Sequence, residues 1–284
     1  MSQEALELWQ AAVLGVVQGL SEPLPISSSG HLILVPWLFD WPDPGGDASA
    51  SKTFDVAVHL GTLIGVVVYF WRDLGHIIAS AWRSLRTRSL ATFDERLPWY
   101  LLIATIPAAV IGAAGAGLFE GALSEPVFVA VQLIVFGLLL GAVDHWAASD
   151  RGMETLNGRE ALGIGFAQAL ALIPGTSRSG ITITAGRGLR LTREAAARFS
   201  FLMSVPAVAG AVMFKTYDTF IVGEGLPDGA LGAFIVGIVT AAVVGLFAIA
   251  FLLRYVRNHS FAPFVIYRVA LGVLVLGVAA AGLR

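Results

Sequence analysis

The chain has 284 residues, of which 56% are hydrophobic and only 13% are charged, with a formal net charge of -2. A soluble domain of this length needs far more charge to cover its surface, so much of this surface is expected to face lipid. The lack of cysteine excludes disulfides and thiolate metal sites, and no long run of one charge sign indicates a nucleic-acid partner.

Ten apolar segments follow one another along the chain. The N-terminal sequence MSQEALELWQ lacks the basic region of a signal peptide, so insertion is expected to rely on these segments. A hydrocarbon core of about 30 Å takes about 20 helical residues to cross. Six segments approach or exceed that length and are predicted to span the membrane: 54–71, 99–119, 127–146, 199–214, 230–253 and 263–283. The other four, 5–20, 31–39, 161–173 and 181–189, are too short.

The four short segments form two pairs, and each pair flanks a break rich in Ser, Gly and Pro. The breaks read SEPLPISSSG in the first pair and PGTSRSG in the second. Each pair is either one broken helix with an interfacial loop or a re-entrant helix–loop–helix. Irregular backbone at membrane depth survives only where it is buried in protein or lines a wet cavity, so the re-entrant reading, which we favour, implies a site.

An internal repeat supports the re-entrant reading. One ungapped offset aligns residues 15–20 with 165–170 and residues 27–30 with 177–180. We therefore predict an all-α polytopic membrane protein with a single membrane domain, 1–284, built from repeats at about 1–150 and 151–284. Each repeat has one re-entrant hairpin and three spanning helices. Because three is odd, the repeats are inverted, and their breaks are expected to meet near the membrane midplane.

Loop charges predict the orientation. The loop after Tyr69 is rich in arginine and is predicted to be cytoplasmic: it contains Arg72, Arg83, Arg86, Arg88 and Arg96. Counting spans puts four more charged places on that side: Arg151, Arg159, the segment 187–198 and the turn with Arg254 and Arg257. The opposite loops hold the acidic residues Asp40, Asp43, Asp47, Glu120, Glu125, Asp218, Glu224 and Asp228, with Lys52 and Lys215. Both termini are then predicted to lie outside, in the periplasm of a host that has one.

The first break, QGLSEPLPISSSGH at residues 18–31, carries a carboxylate, three hydroxyls and an imidazole. Ionisable residues at membrane depth are costly, so Glu22 and His31 are functional candidates. The alternative is that the serines cap the following helix while Glu22 contacts water at the interface.

The second break, PGTSRSG at residues 174–180, carries Arg178, whose planar guanidinium suits phosphate oxygens. The glycines and the helix that opens after Gly180 favour an oxyanion site. The alternative is that Arg178 pairs with Glu22 only to hold the hairpins together. Both breaks together supply a nucleophile, a base, an acid and a phosphate clamp, as required for phosphoryl transfer through a covalent intermediate or for direct attack by water. The sequence has no P-loop, which argues against an ATPase. The sequence is compatible with a loosely held Mg²⁺ or Ca²⁺ shared between a carboxylate and substrate phosphates.

At these motifs the sequence resembles the bacterial undecaprenyl-pyrophosphate phosphatases of the BacA type, which are linked to bacitracin resistance. That family has a Glu/Gln-x-x-x-Glu motif running into LPVSSTGH, and later PGxSRSG. Here the first reads QGLSE followed by LPISSSGH, and the second is intact. Weaker likeness extends to FDVAVHLGT at 54–62 and FSFLMSVP at 199–206.

The resemblance implies an integral membrane enzyme that hydrolyses undecaprenyl pyrophosphate to undecaprenyl phosphate and phosphate, recycling the carrier lipid for cell-wall synthesis. It implies a site that opens to the outer face of the plasma membrane, and dependence on Mg²⁺ or Ca²⁺. Ser28 is then the nucleophile, His31 its acid/base partner or the alternative nucleophile, and Glu22 a base or metal ligand. The residues expected to bind phosphate are Ser27, Ser177, Arg178, Ser179 and Thr182.

Two departures from the family pattern affect these expectations. Gln18 replaces the more usual first Glu and weakens a two-carboxylate metal site, so the metal would rest on Glu22 or on the substrate. Ser29 stands where Thr is usual and keeps the hydroxyl. The rival reading is a lipid transporter or flippase, which would use the same inverted-repeat site without hydrolysis. The small-residue helices suit a homodimer and internal packing equally.

Overall fold

A computed structural model describes residues 7–41, 48–115, 122–223, 225–226 and 229–284 of the chain. Over these ranges it contains eleven α-helices and no β-strand, which confirms the all-α class. The helices are α1 (Leu8–Ser21), α2 (Ser28–Phe39), α3 (Ala48–Tyr69), α4 (Trp71–Thr87), α5 (Phe93–Ala114), α6 (Pro126–Trp146), α7 (Gly158–Ala169), α8 (Arg178–Gly188), α9 (Arg193–Tyr217), α10 (Leu231–Tyr255) and α11 (Ala262–Ala280).

Six stretches are long and apolar enough to cross a membrane, which confirms the number of predicted spans and defines a multi-pass membrane protein. They are Ser51–Tyr69, Phe93–Ala114, Pro126–Trp146, Arg193–Val222, Leu231–Tyr255 and Ala262–Ala280. Two of them begin about one and a half turns before the predicted segments, because polar capping residues start them. Thr92 forms a capping box with Glu95, and the Thr192 hydroxyl accepts a hydrogen bond from the N–H of Ala195.

The four short helices form the two predicted helix–loop–helix units, α1–α2 and α7–α8. Their loops end on Ser27 and Ser177, which have φ values of 77° and 76°. Each serine hydroxyl accepts a hydrogen bond from a backbone N–H three residues later, at 3.4 Å from Gly30 and 3.1 Å from Gly180. The capping alternative, which was stated for the first break, therefore holds for Ser27, and Ser177 caps α8 in the same way. The same strained backbone recurs at aligned positions of the two repeats.

The two repeats interlock. Helix α1 of the first repeat packs against α10 of the second, and α7 of the second packs against α5 of the first. Small residues allow this approach: a Cβ on Gly15 would lie 2.8 Å from the Gly237 carbonyl oxygen, and one on Gly165 would lie 2.5 Å from that of Ala104. Gly15 and Gly165 are aligned in the predicted repeats. Each contacts the second spanning helix of the other repeat, which is α10 for Gly15 and α5 for Gly165. The repeat boundaries and the inverted orientation stay predictions.

Helix α4 corrects one expectation, because residues 71–87 were predicted to be a loop. The helix is anchored to α5 by a 3.0 Å hydrogen bond from Trp99 Nε1 to Ser84 Oγ. It is anchored to α9 by an ion pair between Asp73 and Arg198. A search for long apolar runs missed it because its apolar residues lie on one face and are therefore interrupted by charged residues along the sequence.

The segment 187–198 also differs from a simple charged surface. Arg187 is buried inside α8 and donates to Asp144 Oδ1 at 3.0 Å and to the Ala147 carbonyl at 3.0 Å. Arg193 donates to the same carboxylate, and so does the N–H of Phe261. This cluster ties together the ends of α6, α8, α9 and α11. Five residues of the loop-charge prediction, Asp43, Asp47, Glu120, Glu224 and Asp228, lie outside the described residues.

Candidate active site

A cavity of about 320 Å³ lies where the loops of the two helix–loop–helix units meet. Its polar lining residues are Glu22, Ser28, Ser29, His59, Thr105, Gln168, Ser177 and Arg178. Its apolar lining residues are Val56, Ala108, Ala109, Ala171, Leu172, Ala207, Val208, Ala211 and Val212. The cavity thus brings together residues from both predicted motifs, with small aliphatic side chains around them.

An ion pair between Glu22 and Arg178 joins the two loops. Glu22 follows the last turn of α1, and Arg178 is the first residue of α8. Arg178 Nη2 lies 2.6 Å from Glu22 Oε1, and Arg178 Nη1 donates to the Ser200 carbonyl at 3.1 Å. The structural alternative, in which Arg178 holds the hairpins together, therefore describes a real contact. It coexists with exposure of the guanidinium to the cavity, where it can also meet an anion.

Ser28 stands directly beside the Glu22 carboxylate. It is the first residue of α2, and its hydroxyl donates to Glu22 Oε2. A carboxylate in this position can take the hydroxyl proton as the oxygen attacks an electrophile. Ser29 also lines the cavity, but its hydroxyl lies 3.5 Å from that of Ser27 rather than on the carboxylate. Among Ser27, Ser28 and Ser29, it is therefore Ser28 whose hydroxyl contacts the carboxylate.

His31 lies one turn further along α2 and does not line the cavity. Its Nδ1 lies 2.6 Å from the Ser27 carbonyl oxygen, and its Nε2 lies 2.7 Å from the hydroxyl of Tyr267. Both ring nitrogens are therefore engaged away from Ser28. The expected role of His31 as proton acceptor for Ser28 stays a prediction, and the geometry gives that position to Glu22.

His59 is a site residue that the sequence reasoning missed. It lies in α3, lines the cavity, and places Nε2 3.4 Å from Glu22 Oε2. Its Nδ1 is 2.6 Å from the Asp55 carbonyl oxygen, a pure acceptor, so Nδ1 carries a proton. The signal was available, because His59 is an ionisable residue in the middle of an apolar span.

The other expected phosphate-binding residues divide into two groups. Ser177 lines the cavity. Ser27 caps α2, Ser179 donates to the Leu24 carbonyl at 3.1 Å, and Thr182 lies 2.8 Å from the Ser200 hydroxyl. None of these three lines the cavity, so their contact with phosphate stays a prediction. Their hydrogen bonds position the loop backbone instead.

Arg268 of α11 is a second residue that the sequence reasoning missed. It is fully buried and donates to main-chain carbonyl oxygens of both loops: Pro25 at 3.3 Å, Gly175 at 2.9 Å and Thr176 at 3.0 Å. It also donates to Leu133 on α6 at 3.1 Å. Loop carbonyls that a membrane interior would leave without donors are satisfied by this one side chain.

The metal expectation rests on few protein ligands. Within the described ranges, no group of three His, Asp or Glu side chains is arranged to hold an ion. Both oxygens of Glu22 already accept hydrogen bonds, and Gln18 adds one more from Nε2 at 3.4 Å. The Gln18 Oε1 atom is buried and has no hydrogen-bond partner. This donor set does not fit an ion held by protein ligands only.

Fold and site together define a multi-pass helical membrane protein with an intramolecular cavity that carries a serine, its carboxylate partner and a guanidinium. The family model described as "Bacitracin resistance protein BacA" matches residues 11–274. The chain belongs to this family.

Curated relatives match over nearly the full length. A protein of Gemmatimonas aurantiaca named undecaprenyl-diphosphatase is 49% identical over 270 residues, covering 95% of this chain and 97% of its own. Proteins with the same name from Pelotomaculum thermopropionicum and Moorella thermoacetica are 46% and 47% identical, covering 97% and 95% of this chain and 98% and 97% of their own.

Proposed function

We propose that this chain is an integral membrane undecaprenyl-diphosphatase, which hydrolyses undecaprenyl pyrophosphate to undecaprenyl phosphate and inorganic phosphate. The observation that carries the proposal is the Ser28–Glu22–Arg178 arrangement in a cavity with polar residues and small aliphatic walls. Such a cavity suits a ligand with an anionic head and an apolar tail. The names of the relatives and the family membership point to the same activity.

The first chemical step uses Ser28 as nucleophile. Its Oγ attacks the terminal phosphorus while its proton passes to Glu22 Oε2. The bond between that phosphorus and the bridging oxygen breaks, and the bridging oxygen leaves with undecaprenyl phosphate. Arg178 binds the non-bridging oxygens, on which negative charge accumulates, and so stabilises the transition state.

The second step releases phosphate from the phosphoserine. Water adds to the phosphorus as the Ser28 Oγ–P bond breaks, and Glu22 returns its proton to Oγ. The two hydrogens of the water leave with the inorganic phosphate, and the enzyme regains its starting state. His59, beside Glu22 on the cavity wall, keeps the carboxylate in position for both proton transfers.

We infer that Mg²⁺ or Ca²⁺ would reach the site together with the pyrophosphate, with Glu22 as the protein residue that would hold it. The small number of protein ligands supports this arrangement. When bound, the cation neutralises phosphate charge. The amide oxygen of Gln18 offers a weak ligand beside Glu22.

We propose the plasma membrane as the location, with the cavity open to the outer, periplasmic face, so that carrier lipid is recycled where cell-wall synthesis releases it. The arginine-rich sequence after Tyr69, which is predicted to lie on the opposite side, supports this orientation. The lipid substrate and the bilayer are the partners, and a homodimer is compatible with the small-residue helices.

The test is phosphate release from undecaprenyl pyrophosphate by the purified protein in detergent, with Mg²⁺, Ca²⁺ or a chelator. Arg178→Ala and Ser28→Ala run beside wild type, with thermal unfolding as the check on folding. Turnover by wild type and loss of most activity in both folded variants supports the proposal. Absence of phosphate release under every cation overturns it, and transport of the lipid in vesicles is then measured.

A further inference from the structure

Helix α4 carries an apolar stripe that no described part of the chain covers. Trp71, Ile78, Trp82 and Leu85 recur at intervals of seven, four and three residues, which puts them on one face of the helix. Ile78 is 69% exposed and Trp82 is 70% exposed. Two tryptophans and two aliphatic residues in one row are unusual on a surface in contact with water.

The remaining faces of α4 explain how the stripe is oriented. Ser80 and Ser84 are buried and point toward the protein, where Ser84 accepts the hydrogen bond of Trp99. The helix begins at Trp71, directly after the span that ends at Tyr69. Its stripe is therefore presented at the level where that span leaves the hydrocarbon core.

Arginines lie beside the stripe. Arg72 stacks its guanidinium 5.1 Å from the centre of the Trp71 ring. In the described part of the chain, Arg72, Arg83, Arg86 and Arg88 have no carboxylate within ion-pair distance, whereas Asp73 is paired with Arg198. Arg83 also interacts electrostatically with Glu95, so the protein neutralises the positive charge around the stripe only in part.

We propose that α4 docks on the surface of the bilayer that contains the protein, with its apolar stripe among the acyl chains and its arginines on anionic phospholipid headgroups. An in-plane amphipathic helix with aromatic residues on one face and basic residues beside them binds in this way. A second copy of the chain fits the face poorly, because a two-fold contact would bring the unpaired arginines of both copies together.

Helix α4 is connected to the helices around the cavity. Helix α4 holds α5 through Ser84 and Trp99, and holds α9 through Asp73 and Arg198. Both of those helices line the cavity described above. The lipid contact is a property of α4 and does not depend on the enzymatic activity proposed above.

The experiment exploits the absence of cysteine in the chain. Ile78→Cys on the stripe and His76→Cys on another exposed face of α4 are each labelled with bimane in the full-length protein. The labelled proteins are reconstituted in vesicles of phosphatidylcholine and phosphatidylglycerol. Quenching by iodide in the water is compared with quenching by brominated lipid of either class at equal mole fraction.

The label at position 78 is expected to be quenched by brominated lipid and protected from iodide, and the label at position 76 is expected to behave in the opposite way. Brominated phosphatidylglycerol is expected to quench position 78 about twofold more than brominated phosphatidylcholine, since each arginine near the surface attracts anionic lipid. When Arg83→Gln and Arg86→Gln are added to the Ile78→Cys protein, the ratio of quenching by the two lipids is expected to fall toward one. The melting temperature in detergent is expected to stay close to that of Ile78→Cys alone.

Three outcomes overturn the proposal. Iodide quenching at position 78 in vesicles shows that the stripe faces water. Protection from both iodide and brominated lipid, together with disulfide crosslinking between copies at position 78, assigns the face to a second copy of the chain. Equal quenching by the two brominated lipids in the labelled Ile78→Cys protein shows that the arginines do not bind anionic headgroups.

Discussion

The carboxylate of Glu22 lies 2.6 Å from Nη2 of Arg178, so a single ion pair joins the two loops of the site. Each partner is largely withdrawn from solvent, with side-chain exposures of 9% and 16%. Removing one partner leaves the other charge buried without its counterion, whereas removing both leaves none. The pair is therefore a structural link as well as part of the proposed chemistry.

This relationship predicts a coupling between the two substitutions. Glu22→Gln and Arg178→Gln are each expected to lower the free energy of unfolding by about 3 kcal/mol, because each strands a buried charge. The loss of unfolding free energy in the double variant is expected to be smaller than the sum of the two single losses, by at least about 1 kcal/mol. Thermal or denaturant unfolding in detergent of wild type, the two single variants and the double variant measures this difference. If the two single losses simply add, the two residues act independently. All three variants are expected to be inactive.

The two neighbouring serines of the cavity predict a contrast in activity. Ser28→Ala removes the hydroxyl that donates to Glu22 and is expected to lower kcat by about 100-fold or more, as loss of a nucleophile does. Ser29→Ala, whose hydroxyl is not on the carboxylate, is the matched control and is expected to retain activity within about threefold of wild type. Phosphate release under saturating substrate gives both values. A larger loss in Ser29→Ala than in Ser28→Ala would refute the assignment.

His59 is predicted to act through Glu22. His59→Leu removes the ring whose Nε2 lies 3.4 Å from Glu22 Oε2, and kcat is expected to fall about tenfold or more as the carboxylate loses a positioning contact. The change in KM is expected to be smaller than the change in kcat. His76→Leu is the control, since His76 pairs with Asp94 on an exposed surface. If the two histidine variants have the same kcat, His59 has no role in turnover.

Arg268 is predicted to stabilise the loops rather than take part in turnover. Arg268→Met leaves the carbonyls of Pro25, Gly175 and Thr176 without this donor, at about 1–3 kcal/mol for each buried group. Arg268→Lys keeps the charge but lacks the planar fork, so an intermediate loss is expected. The melting temperatures should rank wild type, Lys, then Met. A Met variant as stable as wild type would show that the loops hold without this contact.

The ion pair between Arg151 and Glu160 predicts a pH dependence of stability. Hydrogen bonds from the Arg151 guanidinium hold the pKa of the Glu160 carboxyl below its usual range. Because the folded-state pKa is lower than the unfolded one, this stabilisation is present above the unfolded pKa of about 4.3 and is lost as the pH falls through the folded pKa.

Glu160→Gln is therefore expected to melt at a lower temperature than wild type at pH 7. The difference between the two proteins is expected to shrink as the pH falls below about 4. Thermal unfolding of both at several pH values measures it. A difference that stays constant down to the lowest pH would show that the charge of Glu160 contributes nothing.

Much of this architecture could be predicted from local patterns. Apolar length identified the six spans, and the PGTSRSG and SSSGH breaks marked the loops, because these signals depend on neighbouring residues only. Helix α4 was missed because its apolar residues lie on one face, so that no run is long enough to register. The early starts of α5 and α9 were missed because capping residues, not apolar ones, begin them.

The partners within the site were harder to predict, since they depend on which helices meet. Nothing near His59 in the chain shows that it reaches Glu22, and nothing near Arg268 shows that it reaches three loop carbonyls. The family resemblance implied that His31 is the acid/base partner of Ser28. Helix spacing puts residues 28 and 31 near each other on α2, but the His31 ring is held by the Ser27 carbonyl and by the hydroxyl of Tyr267. The contact with Tyr267 depends on where α11 packs, which the local sequence does not show.

The interlocking of the repeats has a consequence for biosynthesis. Helix α1 emerges from the ribosome long before α10, yet its glycine face is shaped to fit that helix. A growing chain must therefore hold α1 in the membrane without its neighbour until nearly the whole protein has been made. The cavity between the two loops is completed only in the second half of translation, and a chain that stops after the first predicted repeat has no Arg178 to meet Glu22.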